Sequence, residues 1–422
     1  MESQESIGTG WRLGVASILA IYLGLGWIYV LVKPLGQAPD EFEHATYMLF
    51  LYQYKTLPRM WTPDTEGIGQ GDEPPLYYAT LAAVLGLTRP DLSTEAGRER
   101  AYRLVRGVTL TVFGLGFLLL TIALTRRLAP GHGPLVFLTL ALTAFLPMFL
   151  HLASSIANGV AADLFSTALL LLAVSALQST APLSARRHLV HGLIIALALL
   201  SKITVVSVVA VVGPLFLWFA WRSPRRVQSL AMLSLPVVAI AGPWFIRNTF
   251  VYGDPVAHSA INATFFRVDD ASPRGLRLEH LPGIWRYFLG VLGFGFRPTG
   301  IAFYPDWVYL GAFAATVAAS VLGPIVAKIR GAWIPIRPRS VVLIFTAAVI
   351  LTGLFFFYTN WRIQHMQSRY LFVVLPVLTF AVARAALAAF GRRAQAVVAI
   401  AGASAMVALC VWGIFLLDAA PQ

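Results

Sequence analysis

Long apolar stretches separated by short, basic connections repeat along almost the whole chain. The first is "WRLGVASILAIYLGLGWIYVLV" (Trp11–Val32), and others lie near 102–125, 133–150, 155–178, 189–201, 203–221, 228–247, 306–327, 340–358, 369–389 and 395–417. A helix keeps all its backbone hydrogen bonds to itself, so it is the form in which such stretches cross hydrocarbon. The pattern predicts an all-α membrane protein, a polytopic bundle of about 11 transmembrane helices.

Basic residues give an internal test of that reading, because they gather in cytoplasmic loops. The pairs Arg126–Arg127, Arg186–Arg187, Arg225–Arg226 and Arg392–Arg393, and the segment "KIRGAWIPIRPR" (Lys328–Arg339), must share one face. With the N-terminus inside they all fall in the cytoplasm, and the loop after the first span falls outside.

The same parity decides the doubtful segments. "PPLYYATLAAVLGL" (Pro74–Leu87) would make only about 21 Å of helix, against about 30 Å of hydrocarbon. If it crossed, every later arginine pair would flip, so it is expected to be interfacial or re-entrant. Leu189–Trp221 has basic flanks at both ends and must cross twice, turning near Ser201–Lys202. "WRYFLGVLGFGF" (Trp285–Phe296) is also expected to be interfacial.

Composition agrees and narrows the function classes. Of 422 residues, 58% are hydrophobic and 12% charged, too few to cover a soluble domain of this size. The first run is too long for a signal-peptide core and lacks a small-residue cleavage site, so it is read as retained. The net charge of +13 is spread over many loops, which suits topology and not nucleic acid. The single cysteine, Cys410, excludes an internal disulfide and a zinc–cysteine cluster. No phosphate-binding glycine loop and no fixed-period repeat is present. One integral-membrane domain, 1–422, is expected, with external loops at 33–100 and 248–305 and no soluble C-terminal domain.

Against this background the polar residues stand out. "QAPDEFEHATY" (Gln37–Tyr47) places Asp40, Glu41, Glu43 and His44 at the edge of the first span. Asp40 as N-cap and Glu43 as third helical residue would form a capping box, which leaves Glu41 and His44 unexplained. Asp40, Glu43 and His44 share a helix face, and a carboxylate there suits a general base. "GDEPPLYY" (Gly71–Tyr78) adds Asp72 and Glu73, with Glu73 at a helix start before two prolines. Tyr77 and Tyr78 suit a sugar platform or an interfacial aromatic belt equally. Asn158 and Asp163 lie in an otherwise apolar span, as a functional pair or as packing partners. Lys202, Arg247 and Arg369 stand at the outer ends of spans, where they snorkel or bind a phosphate. His258, His280 and His365 lack metal-ligand spacing and are read as loop histidines. The loop carboxylates leave a divalent metal open, but no spacing supports one, and no metal ligand is assigned.

Together "PDEFEHATYMLFLYQYKTLP", "EPPLYY", "LSKIT", "PWFIRNTFVYGDP" and "SRYLFVVLPVL" resemble, in order, the GT-C superfamily of polyprenyl-phosphate-sugar-dependent glycosyltransferases. That superfamily includes protein O-mannosyltransferases and the transferases that add aminoarabinose to lipid A. The resemblance implies a GT-C-like fold with interfacial helices in the first external loop. It makes Asp40, with Glu41 beside it, the catalytic acids of an external site in the cell membrane. It places Lys202, Arg247 and Arg369, with Tyr370, where the donor phosphate binds. His44, Glu73, Tyr77, Tyr78, Asn158 and Asp163 complete the expected substrate-binding set. Where the family often reads Asn-Asp at the fourth span, this chain has Asn158–Gly159, with Asp163 one turn deeper. Asp72 and Glu73 are possible substitutes. The implied partners are a polyprenyl-phosphate-linked sugar donor, a glycan, lipid or protein acceptor, and the bilayer. The competing class is a flippase or secondary transporter for lipid-linked saccharides, which predicts inverted repeats with broken helices. A surface-polysaccharide polymerase or ligase is a third class, one expected to lack the acidic loop.

Overall fold

The computed structural model describes residues 8–62, 66–265, 278–290, 303–331, 333–336, 338–363 and 367–418. His365 and the end of the Trp285–Phe296 segment lie outside the described residues. Among the described residues the regular structure is helical, apart from isolated bridge positions at Met60, Thr62 and Ile68, of which Met60 pairs with Ile68.

In chain order the helices are α1 (Thr9–Val32), α2 (Glu41–Tyr54), α3 (Leu76–Thr88) and α4 (Glu95–Leu128). There follow α5 (Gly133–Ala144), α6 (Pro147–Ala153), α7 (Gly159–Leu177), α8 (Ala185–Leu199) and α9 (Ile203–Trp221). The remainder are α10 (Arg226–Tyr252), α11 (His258–Phe265), α12 (Leu281–Leu289), α13 (Asp306–Arg330), α14 (Arg339–Trp361), α15 (Ser368–Ala388) and α16 (Arg392–Leu417).

Among the described residues nine helices are long and apolar enough to cross a membrane, or ten if the bent pair α5–α6 is one span. Pro147 opens α6 and cannot continue the hydrogen-bond ladder of α5, so the chain turns 63° there. The eleventh expected span is α8, whose 15 residues make about 22 Å of helix, short of a full hydrocarbon core. Its ends nevertheless lie at opposite ends of the bundle. Arg187, in its first turn, donates to Ser179 beyond α7, while the Leu200 carbonyl after its last turn accepts from Leu76 N–H at 2.9 Å. α8 and α9 thus form a helix pair that turns at Ser201–Lys202, while the spans counted by length and apolarity among the described residues are slightly fewer than the eleven expected.

Contacts sort the helix ends into two sets. Arg127 meets Gln178 at 3.0 Å, and Arg330 meets the Ala389 carbonyl at 2.8 Å, so the basic ends of α4 and α13 each lie against the end of a neighbouring helix, α7 and α15. The N-termini of α7 and α15 gather with the acidic loop at the other end, through Lys202–Asn158 and Arg369–Asp40 contacts. α3 is too short to cross and packs on α2 and α4.

Small residues let the backbones approach where tight packing requires it. A Cβ on Gly192 of α8 would collide with the Leu233 carbonyl of α10, and one on Gly323 of α13 with Ala385 of α15. In lipid such close van der Waals contact is the main force between helices.

Candidate active site

The acidic loop is held from below by ion pairs that the sequence reading did not identify. Glu41 is 1% exposed, and both its oxygens are occupied. Arg106 Nε donates to Oε1 and Nη2 to Oε2, each at 2.8 Å. Gly36 N–H adds a bond to Oε2 and Ile156 N–H one to Oε1, both at 3.0 Å. Burial works against the charge, but Arg106 and Lys33 outweigh it and hold the carboxyl down at about 2. The remaining Arg106 donors fasten the Lys33 and Pro34 carbonyls at 2.6 and 2.9 Å. Lys33 in turn crosses to the His151 carbonyl at 2.8 Å. Glu41 thus clamps the loop and does not face the cavity, contrary to its expected place beside Asp40. Arg106, four residues into a predicted span, carried the one available signal, since a charge inside a span needs a partner.

The clamp forces a turn at Asp40. Its backbone is left-handed, φ 59° and ψ 18°, an unfavourable state for a residue with a Cβ. The side chain makes no cap hydrogen bond to α2, so the capping-box expectation fails. Asp40 instead pairs with Arg369. Its side chain keeps 29% of its surface while that of Arg369 keeps 8%, so the carboxylate is the accessible partner. Burial raises the affinity of Asp40 for a proton, but Arg369, helped by Lys202, outweighs that and leaves it below the ordinary carboxylate value. Arg369 is further held by Gln367 Oε1, at 2.9 Å from Nε, and by the Pro39 carbonyl.

Lys202, at the α8–α9 turn, supplies the second cation. Its ammonium donates to Asn158 Oδ1 at 2.7 Å and Glu73 Oε1 at 3.2 Å, and lies 5.9 Å from the Tyr370 ring centre. Asn158 Nδ2 and Glu73 Oε2 are buried without a hydrogen-bond partner among the described residues. A buried polar atom left so costs free energy unless something else binds it.

Asp40, Asp72, Glu73, Lys202, Gln367 and Tyr370 open onto one cavity of about 300 Å³. Its far side is formed by Trp244 of α10, His258 of α11, and Phe355, Tyr358 and Thr359 of α14. His258, read as a plain loop histidine, is thus a wall residue, brought in by a fold its sequence context does not announce. Burial first, and then Glu73 beside it, push the Asp72 carboxyl up to about 7. A second, smaller space next to this one is bordered by Asp163, Lys202, Arg369 and Tyr370. Asp163 thus borders the same space as Lys202 and Arg369, one turn deeper in α7 than Asn158.

Of the expected residues, Asn158, Asp163 and Arg369 stand next to the cavity without lining it, and Glu41, Arg247, Tyr77, Tyr78 and His44 are turned away from it. Arg247 turns to the Pro58 carbonyl and to Asn248 Oδ1, at 3.0 Å, and lies over the Tyr252 ring. Tyr77 is fully buried, bonded to Thr109 Oγ1 at 2.7 Å and to Ala157 N–H at 2.9 Å. Tyr78 is also fully buried, stacked on Tyr47 at 4.0 Å and bonded to His44 Nδ1 at 2.8 Å. The tyrosines are neither platform nor interfacial belt; they are posts that brace the loop. His44 lies behind the wall, and burial, reinforced by Lys202, holds its imidazole neutral, down at about 3. Among the described residues no cluster of three or more His, Cys, Asp or Glu side chains could hold a metal ion.

No protein-family model matches the chain, and no curated protein sequence does. Among solved structures, apo ArnT from Cupriavidus metallidurans superposes with a TM-score of 0.56 at 15% identity, over 95% of this chain and 64% of that one. The fold is of the GT-C type, as the resemblance implied. The chain spans under two thirds of the length of apo ArnT. ArnT from the same organism bound to undecaprenyl phosphate gives 0.45 at 14% identity, over 92% of this chain and 79% of that one. The Archaeoglobus fulgidus oligosaccharyltransferase in complex with zinc and sulfate gives 0.48 at 12%, over 96% and 54%.

Proposed function

We propose that the protein is a membrane glycosyltransferase that moves a sugar from a polyprenyl-phosphate donor to a hydroxyl or amine acceptor, in one inverting displacement on the external face of the cell membrane. The observation that carries this reading is the convergence on one cavity of Asp40, Asp72 and Glu73 with Lys202, and of Arg369 immediately behind Asp40. A GT-C fold and a polar set gathered at one end of the bundle support transfer over transport.

In this mechanism Asp40 takes the proton of the acceptor as its oxygen (or nitrogen) attacks the anomeric carbon. The bond from that carbon to the phosphate oxygen breaks, and the polyprenyl phosphate leaves with the electron pair. Lys202 and Arg369 hold the charge that develops on it, in a site where water screens little. The bond between Arg369 and Asp40 couples the two tasks. A donor phosphate competes for the same guanidinium, and as Arg369 turns to it the Asp40 carboxylate regains proton affinity. Binding of the donor thus readies the base.

The test is transfer of radiolabelled sugar from a panel of polyprenyl-phosphate sugars in membranes that contain the protein. Asp40→Asn should fold normally and lose roughly 10²–10⁴-fold in rate, the usual worth of a positioned base. Wild-type transfer by a folded Asp40→Asn protein sinks the mechanism, and no transfer from any donor in the panel sinks the class.

A further inference from the structure

At the other end of the bundle the end of α4, the end of α7 and the start of α8 enclose a pocket of about 390 Å³. Arg127, Arg186 and Arg187 line it, together with Ser175, Ser184 and His191. Among the described residues no carboxylate pairs with any of the three arginines. Their bonds go to neutral groups, Arg127 Nε to Gln178 Oε1 at 3.0 Å and Arg187 Nη1 to Ser179 Oγ at 3.4 Å. A topology signal needs basic residues in a loop but not their convergence on one hollow, where like charges repel.

His191 gives independent evidence. It is 2% exposed, lines the pocket, and its buried Nδ1 has no hydrogen-bond partner among the described residues. The ring is stacked on Phe216 at 4.1 Å. Ser184 caps α8, so the positive end of that helix lies at the pocket as well. Leu172 and Val190 form its apolar side, and Val190 continues into the exposed Leu189 and Leu193.

We infer that this pocket binds a phosphate ester, with Arg127, Arg186 and Arg187 around the anionic oxygens and His191 Nδ1–H donating from below. An anionic phospholipid head group, its chains passing along Val190 and Leu193, and a free phosphate compound share this chemistry. The site lies at the opposite end of the bundle from the acidic cavity and stands independently of the glycosyl-transfer reading.

The test uses the full chain in nanodiscs and reads its thermal midpoint. One arm compares phosphatidylcholine with phosphatidylcholine plus phosphatidylglycerol; the other adds inorganic phosphate to phosphatidylcholine at matched ionic strength. A rise in the first arm assigns the lipid, and a rise in the second the soluble anion. Arg187→Gln, an exposed change that leaves the core intact, should weaken the response about fivefold, the worth of one arginine near an anionic surface. His191→Phe keeps every positive charge and should weaken it about tenfold, as one hydrogen bond to a charged group is lost. Arg330→Gln, at the same end but outside the pocket, should change nothing. No rise in either arm, or a rise that Arg187→Gln and Arg330→Gln diminish equally, overturns the site.

Discussion

Two adjacent acids in one short loop, Asp40 and Glu41, end up with opposite fates. Glu41 is saturated by four donors and locked in place; Asp40 is twisted into a left-handed turn and left accessible beside one exchangeable arginine. Removing Arg106 would leave Glu41 charged and unpaired in the interior, which typically costs roughly 3–5 kcal/mol. Asp72 differs again: among the described residues it has no ion-pair partner, and the nearby Lys202 offsets its burial only weakly. Its carboxyl, ordinarily ionised from 3.8, stays protonated until about 7. Since the folded state holds that proton more tightly than the unfolded chain, its stabilising contribution is full below 3.8 and lost as pH rises through about 7. Ionised, Asp72 would also place a second negative charge beside Glu73, where the proposed donor phosphate lies. Donor KM should therefore rise as pH passes through about 7, and Asp72→Asn should flatten that slope. Steady-state KM measured one unit either side decides it; a slope unchanged in Asp72→Asn assigns the titration to another group.

At the scale of elements, the cavity depends on short pieces set against long ones. α3 carries Tyr77 and Tyr78 into the packing under α2, and the α8–α9 turn lifts Lys202 to meet Glu73 and Asn158. The turn can sit there only if α8 is close against α10, which Gly192 allows. Gly192→Leu should force α8 off Leu233 and cost about 1–3 kcal/mol from overpacking, lowering the thermal midpoint in detergent. Because Lys202 moves with α8, transfer activity should fall further than the loss of folded protein accounts for. Equal falls in the two would mean that the turn is positioned by other contacts.

For the molecule as a whole, the arginine pairs and the acidic cavity occupy opposite ends of one bundle, which is what alternating crossings require. Sidedness in the cell is the expectation still to be measured. Cys410 is buried, so with it replaced by Ala, single cysteines at Gln70 and Arg187 report each end. An impermeant thiol reagent added to intact cells should label the first and spare the second. Labelling of Arg187→Cys but not Gln70→Cys would invert the topology and move the proposed chemistry to the cytoplasm.

The long apolar helices were largely legible in the sequence, because hydrocarbon imposes length and apolarity on each segment separately. So were Asp40, Lys202 and Arg369 as candidates, since a charge at the membrane edge stands out against an apolar background. Which of those charges face one another was not legible. Arg369 reaches Asp40 across more than three hundred residues of chain. Arg247, equally conspicuous in sequence, is drawn off to the Pro58 carbonyl. Glu41 became a clamp only because Arg106 of α4 stands beneath it, and His258 became a wall residue only because α11 folds over the cavity. Pairing is decided by three-dimensional proximity between segments that the bilayer constrains one at a time. The composition of "QAPDEFEHATY" announced a polar cluster; the tertiary structure decided which acid is buried in a clamp and which stays accessible.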